Sequence, residues 1–174
     1  MIVYTAGSLD LMHPGWIERL KFAKQQGDFL YVGLWDDEMT RFYRGADFPI
    51  QTLQERVLEV LACKYVDEVI IGAPFILTQD LIKTLNVAKV VSFDTEEDCV
   101  VPEHKSVDPY KVAKESGILV QMARLENDLT LEIIAKRVLD QKEAFEAKFA
   151  KKNTSEQNYY ETKKHVEEAS QKHK

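Results

Sequence analysis

Short, continuous apolar runs alternate with amphipathic stretches along most of this chain. Each run is bounded by polar or glycine residues and has the length of a strand that is buried on both faces. Half-buried antiparallel strands would instead alternate apolar and polar positions, and these runs do not. The pattern predicts five strands, at residues 2–6, 29–35, 68–74, 89–94 and 118–123.

Helical spacing of apolar residues separates these runs. Pro14 suits the first turn of a helix after the first strand, and Gly27 suits its C-terminal end. Thr52 followed three residues later by Glu55 predicts a capping box, and Thr78 predicts the cap of a short helix. The stretch after the second strand, DDEMTRFYRGADFP, reads only as a polar and aromatic segment.

Strands that alternate with helices predict an α/β fold, a Rossmann-like, doubly wound, five-stranded parallel sheet with flanking helices. A long amphipathic helix is expected from about Leu129 through Phe145. We expect a domain at residues 1–140 and a charged tail at residues 141–174, either helical or disordered, with a break near residues 153–155. Because the apolar face of that tail is thin, we expect the tail to lie in solvent rather than in lipid. Peripheral association is the one form of membrane contact that we consider for it.

The net charge of the chain limits the classes of ligand that it can bind. The 174 residues carry 23 Lys and Arg against 29 Asp and Glu, a net charge of -6. Residues 141–174 hold 8 Lys and 6 acidic residues, so the first 140 residues are at -8. Such a body argues against nucleic acid, and any phosphate chemistry must depend on local donors. Two cysteines without metal-ligand spacing, and no transmembrane or signal segment, predict a cytoplasmic protein.

The turn after the first strand, TAGSLDLMHPGW, is the strongest candidate for chemistry. Ligands of open α/β sheets lie at the carboxyl ends of the strands. Gly7 lets backbone amides approach a ligand closely, and the helix that opens at Pro14 directs its positive end into the same space. His13 stands just before that helix, where it either caps the helix or donates to a phosphate.

This turn resembles the G-x-F-D-x-x-H-x-G-H signature of the cytidylyltransferases, in the nucleotidyltransferase superfamily. Three further stretches are similar to the family's motifs: LQERVLEVLACKYVDEVIIGAP, VDPYKVAKESG and RLENDLTLEII. Together they span about residues 2–139 in the family's order. Within the family, LACKYVDEVIIGAPF and YRGADFPI are most similar to the second, C-terminal domain of the tandem ethanolamine-phosphate cytidylyltransferases.

The resemblance implies transfer of CMP from CTP to phosphoethanolamine, with release of pyrophosphate and with Mg²⁺ accompanying CTP. It also implies a second cytidylyltransferase domain of the same protein as a partner. The catalytic residues that it implies are His13, Arg44 and Arg124. The implied nucleotide-binding residues are Gly7, Ser8, Leu9, Trp16, Asp94 and Thr130, the implied substrate-phosphate residue is Arg56, and no protein metal site is expected.

Several positions depart from the family's pattern. Trp16 stands in place of the second histidine, where it either fills the phosphate pocket or packs the first helix against the sheet. Leu129 and Leu131 replace hydroxyl residues that bind nucleotide phosphates at a helix start. Loss of one such donor costs about 10²–10³ in rate, so we expect a weakened or vestigial site.

Other candidates keep two interpretations. Arg44 is either a phosphate ligand or a surface arginine, and Arg56 contacts substrate phosphate or forms an internal ion pair with Glu55 or Glu59. Asp10 is expected to orient its turn by accepting from backbone N–H groups. The acidic segment TEEDCVVPE, after Asp94, is a cation site or an exposed loop.

Three functions therefore stay open. The first is a C-terminal domain of an ethanolamine-phosphate cytidylyltransferase that is weak or inactive alone. The second is an autonomous cytidylyltransferase for another phospho-alcohol. The third is a noncatalytic domain that senses a nucleotide or serves as a scaffold.

Overall fold

The computed structural model describes residues 1–93, 107–123 and 129–171. Within these residues, five parallel strands form one sheet in the order β3-β2-β1-β4-β5. The strands are β1 (Ile2–Gly7), β2 (Phe29–Leu34), β3 (Glu68–Ile71), β4 (Val87–Phe93) and β5 (Leu119–Met122). The predicted α/β class and parallel sheet are confirmed, and the central strand is β1.

Helices connect the strands and begin at the expected caps. Thr52 and Glu55 form the predicted capping box, and the side chain of Thr78 accepts from the Leu81 amide. Hydrogen bonds from the Thr52 amide and hydroxyl lower the pKa of Glu55. The helices in the described part of the chain are α1 (Pro14–Gln25), α2 (Asp37–Arg44), α3 (Leu53–Leu61), α4 (Gln79–Thr84), α5 (Lys111–Glu115), α6 (Leu131–Asp140) and α7 (Lys142–Gln171).

The core lies on both faces of the sheet because successive strand side chains point to opposite sides. Val3 belongs to a cluster with residues of α1, α3 and β2, whereas Tyr4 belongs to a second cluster with residues of α4 and α5. Burial raises the pKa of the Tyr4 hydroxyl. Coverage on both faces explains why the strands read as continuous apolar runs.

Helix α2 lies in the polar, aromatic segment after β2, for which the sequence predicted no secondary structure. Its side-chain cap is Asp36, which accepts from the Met39 amide. Acidic residues occupy its first turn, basic residues occupy its last, and Gly45 follows at φ 107°. These are ordinary helix start and stop signals, and the aromatic side chains between them obscured the pattern.

The C-terminal part of the chain is helical, with a break at a different place from the one expected. The chain divides into two compact units, Met1–Leu131 and Glu132–Lys174, and the division falls before the predicted boundary at residue 140. Helix α6 ends at Asp140, and α7 continues through residues 153–155 without interruption. In the described part of the chain, every helix is too short or too polar to cross a bilayer.

Candidate functional site

The loop between β1 and α1 lies at the point where the sheet's strand order reverses. Strand β1 pairs with β2 on one side and β4 on the other, so its carboxyl end opens at a topological switch point. Ser8, Leu9, Asp10 and His13 follow this end and are all buried. The backbone of Gly7 stays within the sheet, where its carbonyl accepts from the Trp35 amide at 3.1 Å.

The backbone of this loop is unusual. Leu9 and Leu11 both have left-handed φ values, 45° and 48°. Such a conformation costs on the order of 1–3 kcal/mol for a side chain other than glycine, and persists only where surrounding contacts enforce it. The side chain of Leu9 is buried in the core cluster that faces α1, which supplies one such contact.

Asp10 supplies another constraint on the loop. Its two carboxylate oxygens accept from the Ile50 amide at 2.7 Å and from the Gln51 amide at 2.9 Å. The predicted role of accepting from backbone N–H groups is confirmed, although the donors belong to the segment before α3 rather than to its own turn. Asp10 therefore ties two loops together across 40 residues of sequence.

Two more side chains hold the loop backbone just before α1. Gln51 Oε1 accepts from the Leu11 amide at 2.7 Å, and Glu59 Oε2 accepts from the Met12 amide at 3.0 Å. Gln51 Nε2 in turn donates to Glu59 Oε1 at 2.6 Å. The amides that precede His13 are thus bound by protein acceptors, a feature that the sequence did not reveal.

Arg44 lies against the same loop. It is the last residue of α2 and is 2% exposed, so it is not the surface arginine considered from the sequence. Its Nη1 donates to Ser8 Oγ at 2.9 Å, and its guanidinium stacks 4.3 Å from the centroid of the Phe48 ring. A cation therefore stands directly beside the carboxyl end of β1, and its predicted catalytic role stays a prediction.

Arg56 is completely buried beneath the loop. Its Nη1 donates to the carbonyl oxygens of Ser8 at 2.6 Å and Trp35 at 2.9 Å, and its Nη2 pairs with Asp37 Oδ1 at 2.7 Å. The internal ion pair considered from the sequence exists, with Asp37 rather than Glu55 or Glu59 as the partner. The proposed contact with substrate phosphate stays a prediction.

Trp16 packs α1 against the sheet. The side chain is 1% exposed and meets Phe93 of β4 in an edge-to-face contact with ring centroids 6.1 Å apart. The ring of His13 lies at the same centroid distance, and the guanidinium of Arg19 stacks 4.7 Å from the Trp16 ring. Of the two interpretations of Trp16, packing has direct structural support, and its contact with nucleotide stays a prediction.

The remaining predicted residues lie toward the C-terminal side of the domain. Thr130 is half-buried and immediately precedes α6. Leu131, the first residue of α6, is 2% exposed. Asp94, the acidic segment after it and Arg124 lie outside the described residues.

A divalent cation has no cage of protein ligands in the described ranges. Those ranges contain no group of three or more His, Cys, Asp or Glu side chains that could hold a metal ion. Mg²⁺ that accompanies a nucleoside triphosphate needs only one or two carboxylates, because substrate phosphates and water complete its coordination. Mg²⁺ with CTP therefore stays a prediction.

An aromatic cluster at the ends of β2 and β3 was also not predicted from the sequence. Tyr43 and Phe75 stack with ring centroids 3.5 Å apart, and Trp35 lies 5.0 Å from Phe75. All three side chains are buried. Their separation in sequence gives no periodic signal, since each comes from a different loop or helix.

Comparison with known proteins agrees with this geometry. The sequence matches the cytidylyltransferase-like family over residues 4–133. It is 44% identical to the ethanolamine-phosphate cytidylyltransferase of Dictyostelium discoideum over 92% of this chain, and 41% identical to that of Arabidopsis thaliana over 95%. Identity to choline-phosphate cytidylyltransferase A of Rattus norvegicus is 34% over 79% of this chain.

The chain spans 44%, 39% and 36% of the lengths of these three relatives. A crystal structure of a lipopolysaccharide core biosynthesis protein from Thermoplasma volcanium shares the fold, with a TM-score of 0.53 and 23% identity. That likeness covers 72% of this chain and 96% of the other. The match to the family extends over most of the described sheet and over the whole β1–α1 loop. This chain therefore belongs to the cytidylyltransferase-like family.

Proposed function

We propose that this chain is part of an ethanolamine-phosphate cytidylyltransferase, in which it forms the C-terminal domain. The reaction transfers CMP from CTP to phosphoethanolamine and releases pyrophosphate, a step in phospholipid biosynthesis. The relatives named for this activity support the proposal, because they are 36–44% identical over 92–95% of this chain. Their greater length leaves room for the second domain that we propose as the partner.

The observation that carries the proposal is the convergence of His13 and Arg44 on the loop that follows β1. His13 is the N-cap residue of α1, and Arg44 donates to Ser8 in the same loop. The phosphate of the acceptor would attack the α-phosphorus of CTP in line, so most of the catalysis is positioning and stabilisation of charge. An imidazole at a helix N-terminus and a guanidinium beside the carboxyl end of β1 are donors of the required kind.

We further propose that the site is weak when the domain is alone. Trp16 occupies the position of a family histidine and is committed to core packing. Leu131 is buried where the family has a hydroxyl, and the guanidinium of Arg56 already binds backbone carbonyl oxygens and Asp37. Fewer donors therefore remain for the charge that develops during transfer.

Pyrophosphate release from CTP, Mg²⁺ and phosphoethanolamine tests the activity, with calorimetric titration of CTP in parallel. We expect saturable CTP binding and slow turnover, with phosphoethanolamine preferred over choline phosphate and glycerol phosphate. Arg44→Met should lower turnover about 10²-fold. Arg41→Met is the matched control, since Arg41 lies one turn earlier on α2 and is exposed. Equal rates in the two variants would contradict the assignment of Arg44.

A second candidate function is a noncatalytic domain that binds a nucleotide. The buried position of Trp16 favours it, because indole cannot supply the cationic donor that a histidine can. Micromolar CTP binding without pyrophosphate release would support this candidate. The variant Trp16→His with Leu129→Ser then separates the two cases. Recovery of turnover would show a weakened catalytic site, and unchanged binding without turnover would favour the sensing role.

A further inference from the structure

A hydrogen-bonded chain of four groups fixes the backbone that leads into His13. The Leu11 amide donates to Gln51 Oε1, and Gln51 Nε2 donates to Glu59 Oε1. Glu59 Oε2 then accepts from the Met12 amide. Both ends of the chain are therefore backbone donors in one loop. Of the two side chains between them, Gln51 precedes the N-cap of α3 and Glu59 lies within α3.

The direction of these hydrogen bonds restricts the side chains that fit. Since each end is an N–H donor, the pair between them must accept at both ends and share one hydrogen bond internally. One amide and one carboxylate satisfy this requirement. Two amides would leave two donors facing each other, and two carboxylates would place like charges in contact.

We propose that Glu59 is a positioning residue for His13, and that it acts through Gln51 and the Leu11 and Met12 amides. The proposal rests on the proposed function, in which His13 donates to a reacting phosphate. In this assignment Glu59 acts on His13 through the loop backbone and takes no direct part in the reaction. It sets the course of the loop from Leu11, at φ 48°, to the start of α1 at Pro14.

Asp10 does not make Glu59 redundant. Asp10 binds the amides of Ile50 and Gln51, so it fixes the segment before α3. Glu59 and the Gln51 side chain instead bind amides within the β1–α1 loop itself. Without these side chains, the Leu11 and Met12 amides lose their acceptors, while the Asp10 contacts remain. The expected result is a folded protein in which His13 is displaced.

The test is an exchange of the two side chains. Glu59→Gln alone creates opposed donors, and Gln51→Glu alone creates opposed carboxylates. The double variant Gln51→Glu with Glu59→Gln restores one amide and one carboxylate in reversed order. We expect each single variant to lower kcat about 10- to 100-fold, because a displacement near 1 Å costs up to 10²-fold. The exchange should return kcat to within about threefold of wild type, since donors and acceptors again match.

Matched controls use exposed residues of the same types. Gln54→Glu adds the same charge on α3, and Glu18→Gln removes the same charge from α1. Both should retain wild-type kcat and unfolding free energy within error. Unfolding free energies of all variants show how much of any loss in kcat comes from destabilisation. Single variants that lose stability but keep wild-type kcat per folded molecule would overturn the positioning role.

An NMR measurement tests the positioning role independently of the proposed activity. The chain has four histidines, and His13→Gln identifies the ring signal of His13 in a carbon–proton NMR correlation spectrum. The single variants should shift that signal and the exchange should restore it, with or without turnover. An inactive wild type with this pattern would contradict the proposed activity and retain the positioning role. If the wild type is active, and neither single variant changes the His13 signal or kcat, the positioning role is contradicted and the proposed activity is retained.

Discussion

Charged side chains surround the β1–α1 loop and also cover the long helix α7, but they are buried in the first region and exposed in the second. Around the β1–α1 loop, Arg56 and Asp10 are at most 1% exposed, and each binds two or more protein groups. On α7, the paired residues Lys152 and Glu156 are 67% and 58% exposed and lie 3.7 Å apart. Charged side chains thus hold the backbone in place in one region and lie exposed to solvent in the other.

The difference is one of desolvation. A buried charge that loses its partner keeps the full cost of its removal from water, whereas an exposed charge regains water at once. Substitutions at the loop should therefore be costly and those on α7 nearly neutral. This contrast predicts that substitutions lower stability most at Arg56 and least on α7.

Arg56 should give the largest effect. Arg56→Met leaves the buried carbonyl oxygens of Ser8 and Trp35 without their donor, and leaves Asp37 without its counter-charge. We expect a loss of about 3–5 kcal/mol in the free energy of unfolding, measured by urea denaturation. Arg41→Met, on the exposed side of α2, should change it by less than about 0.5 kcal/mol.

Arg56→Lys keeps the measurement interpretable if Arg56→Met fails to fold. Lysine retains the charge but cannot reach two carbonyls and a carboxylate from one planar fork. Its loss should be intermediate between wild type and the methionine variant. A lysine variant as stable as wild type would show that charge alone, without the fork, holds the two strand ends.

Asp10 should give the second largest effect. Asp10→Ala removes both acceptors of the Ile50 and Gln51 amides and leaves two part-buried donors unsatisfied. The expected loss is about 2–4 kcal/mol in unfolding free energy, at 1–3 kcal/mol for each unsatisfied group with partial access to water. Asp47→Ala, at an exposed position in the preceding loop, is the control. Equal losses in the two variants would show that the bridge contributes nothing.

The features that could be predicted from the sequence are those that depend on residues close together in the chain. The five strands follow from local apolar runs, and the places of Gly7 and His13 follow from one contiguous motif. The partners of Asp10 and of the Met12 amide lie 40–47 residues away, so only the folded chain brings them together. No periodicity in α3 marks Glu59 as an acceptor for a loop on another strand.

The missed and wrong predictions also have physical causes. Helix α2 carries its own signals at Asp36 and Gly45, but of its two aromatic residues only Tyr43 is buried, in a cluster apart from the main core, and Phe42 is exposed. The break expected near residues 153–155 fell in a polar part of the chain, where Asn, Thr and Ser stand together. In α7 the Thr154 hydroxyl donates to the Ala150 carbonyl at 2.9 Å, so the hydroxyl is satisfied within the helix.

Asp67 should show an intermediate effect that depends on pH. Burial raises the pKa of its carboxyl group, but hydrogen bonds from Lys24 Nζ and the Leu30 amide outweigh that effect and lower the pKa. A depressed native pKa stabilises the fold above the unfolded pKa, and the contribution is lost as pH falls through the native pKa. Asp67→Asn should therefore cost about 1 kcal/mol at pH 7, discounted for partial exposure.

The difference between wild type and Asp67→Asn should shrink as the pH falls below about 4, the ordinary value for an aspartate. Urea denaturation at a series of pH values measures it. Asp47→Asn provides an exposed aspartate for comparison and should show no such trend. A difference that stays constant down to the lowest pH would mean that the ionised carboxylate is not what stabilises the start of β2.

The smallest effect is expected on α7. Its pairs Lys142–Glu146 and Lys152–Glu156 both place lysine before glutamate, the less favourable order for residues four apart on a helix. Glu156→Gln should therefore change amide hydrogen exchange across residues 150–158 by about twofold or less. Exchanging the pair, with Lys152→Glu and Glu156→Lys, should slow exchange slightly, and 1 M salt should remove the difference because it screens exposed charges. A change in exchange that corresponds to as large a free energy as the loss expected for Arg56→Met would show that α7 is buried against something in solution. The contrast between the two regions would then disappear.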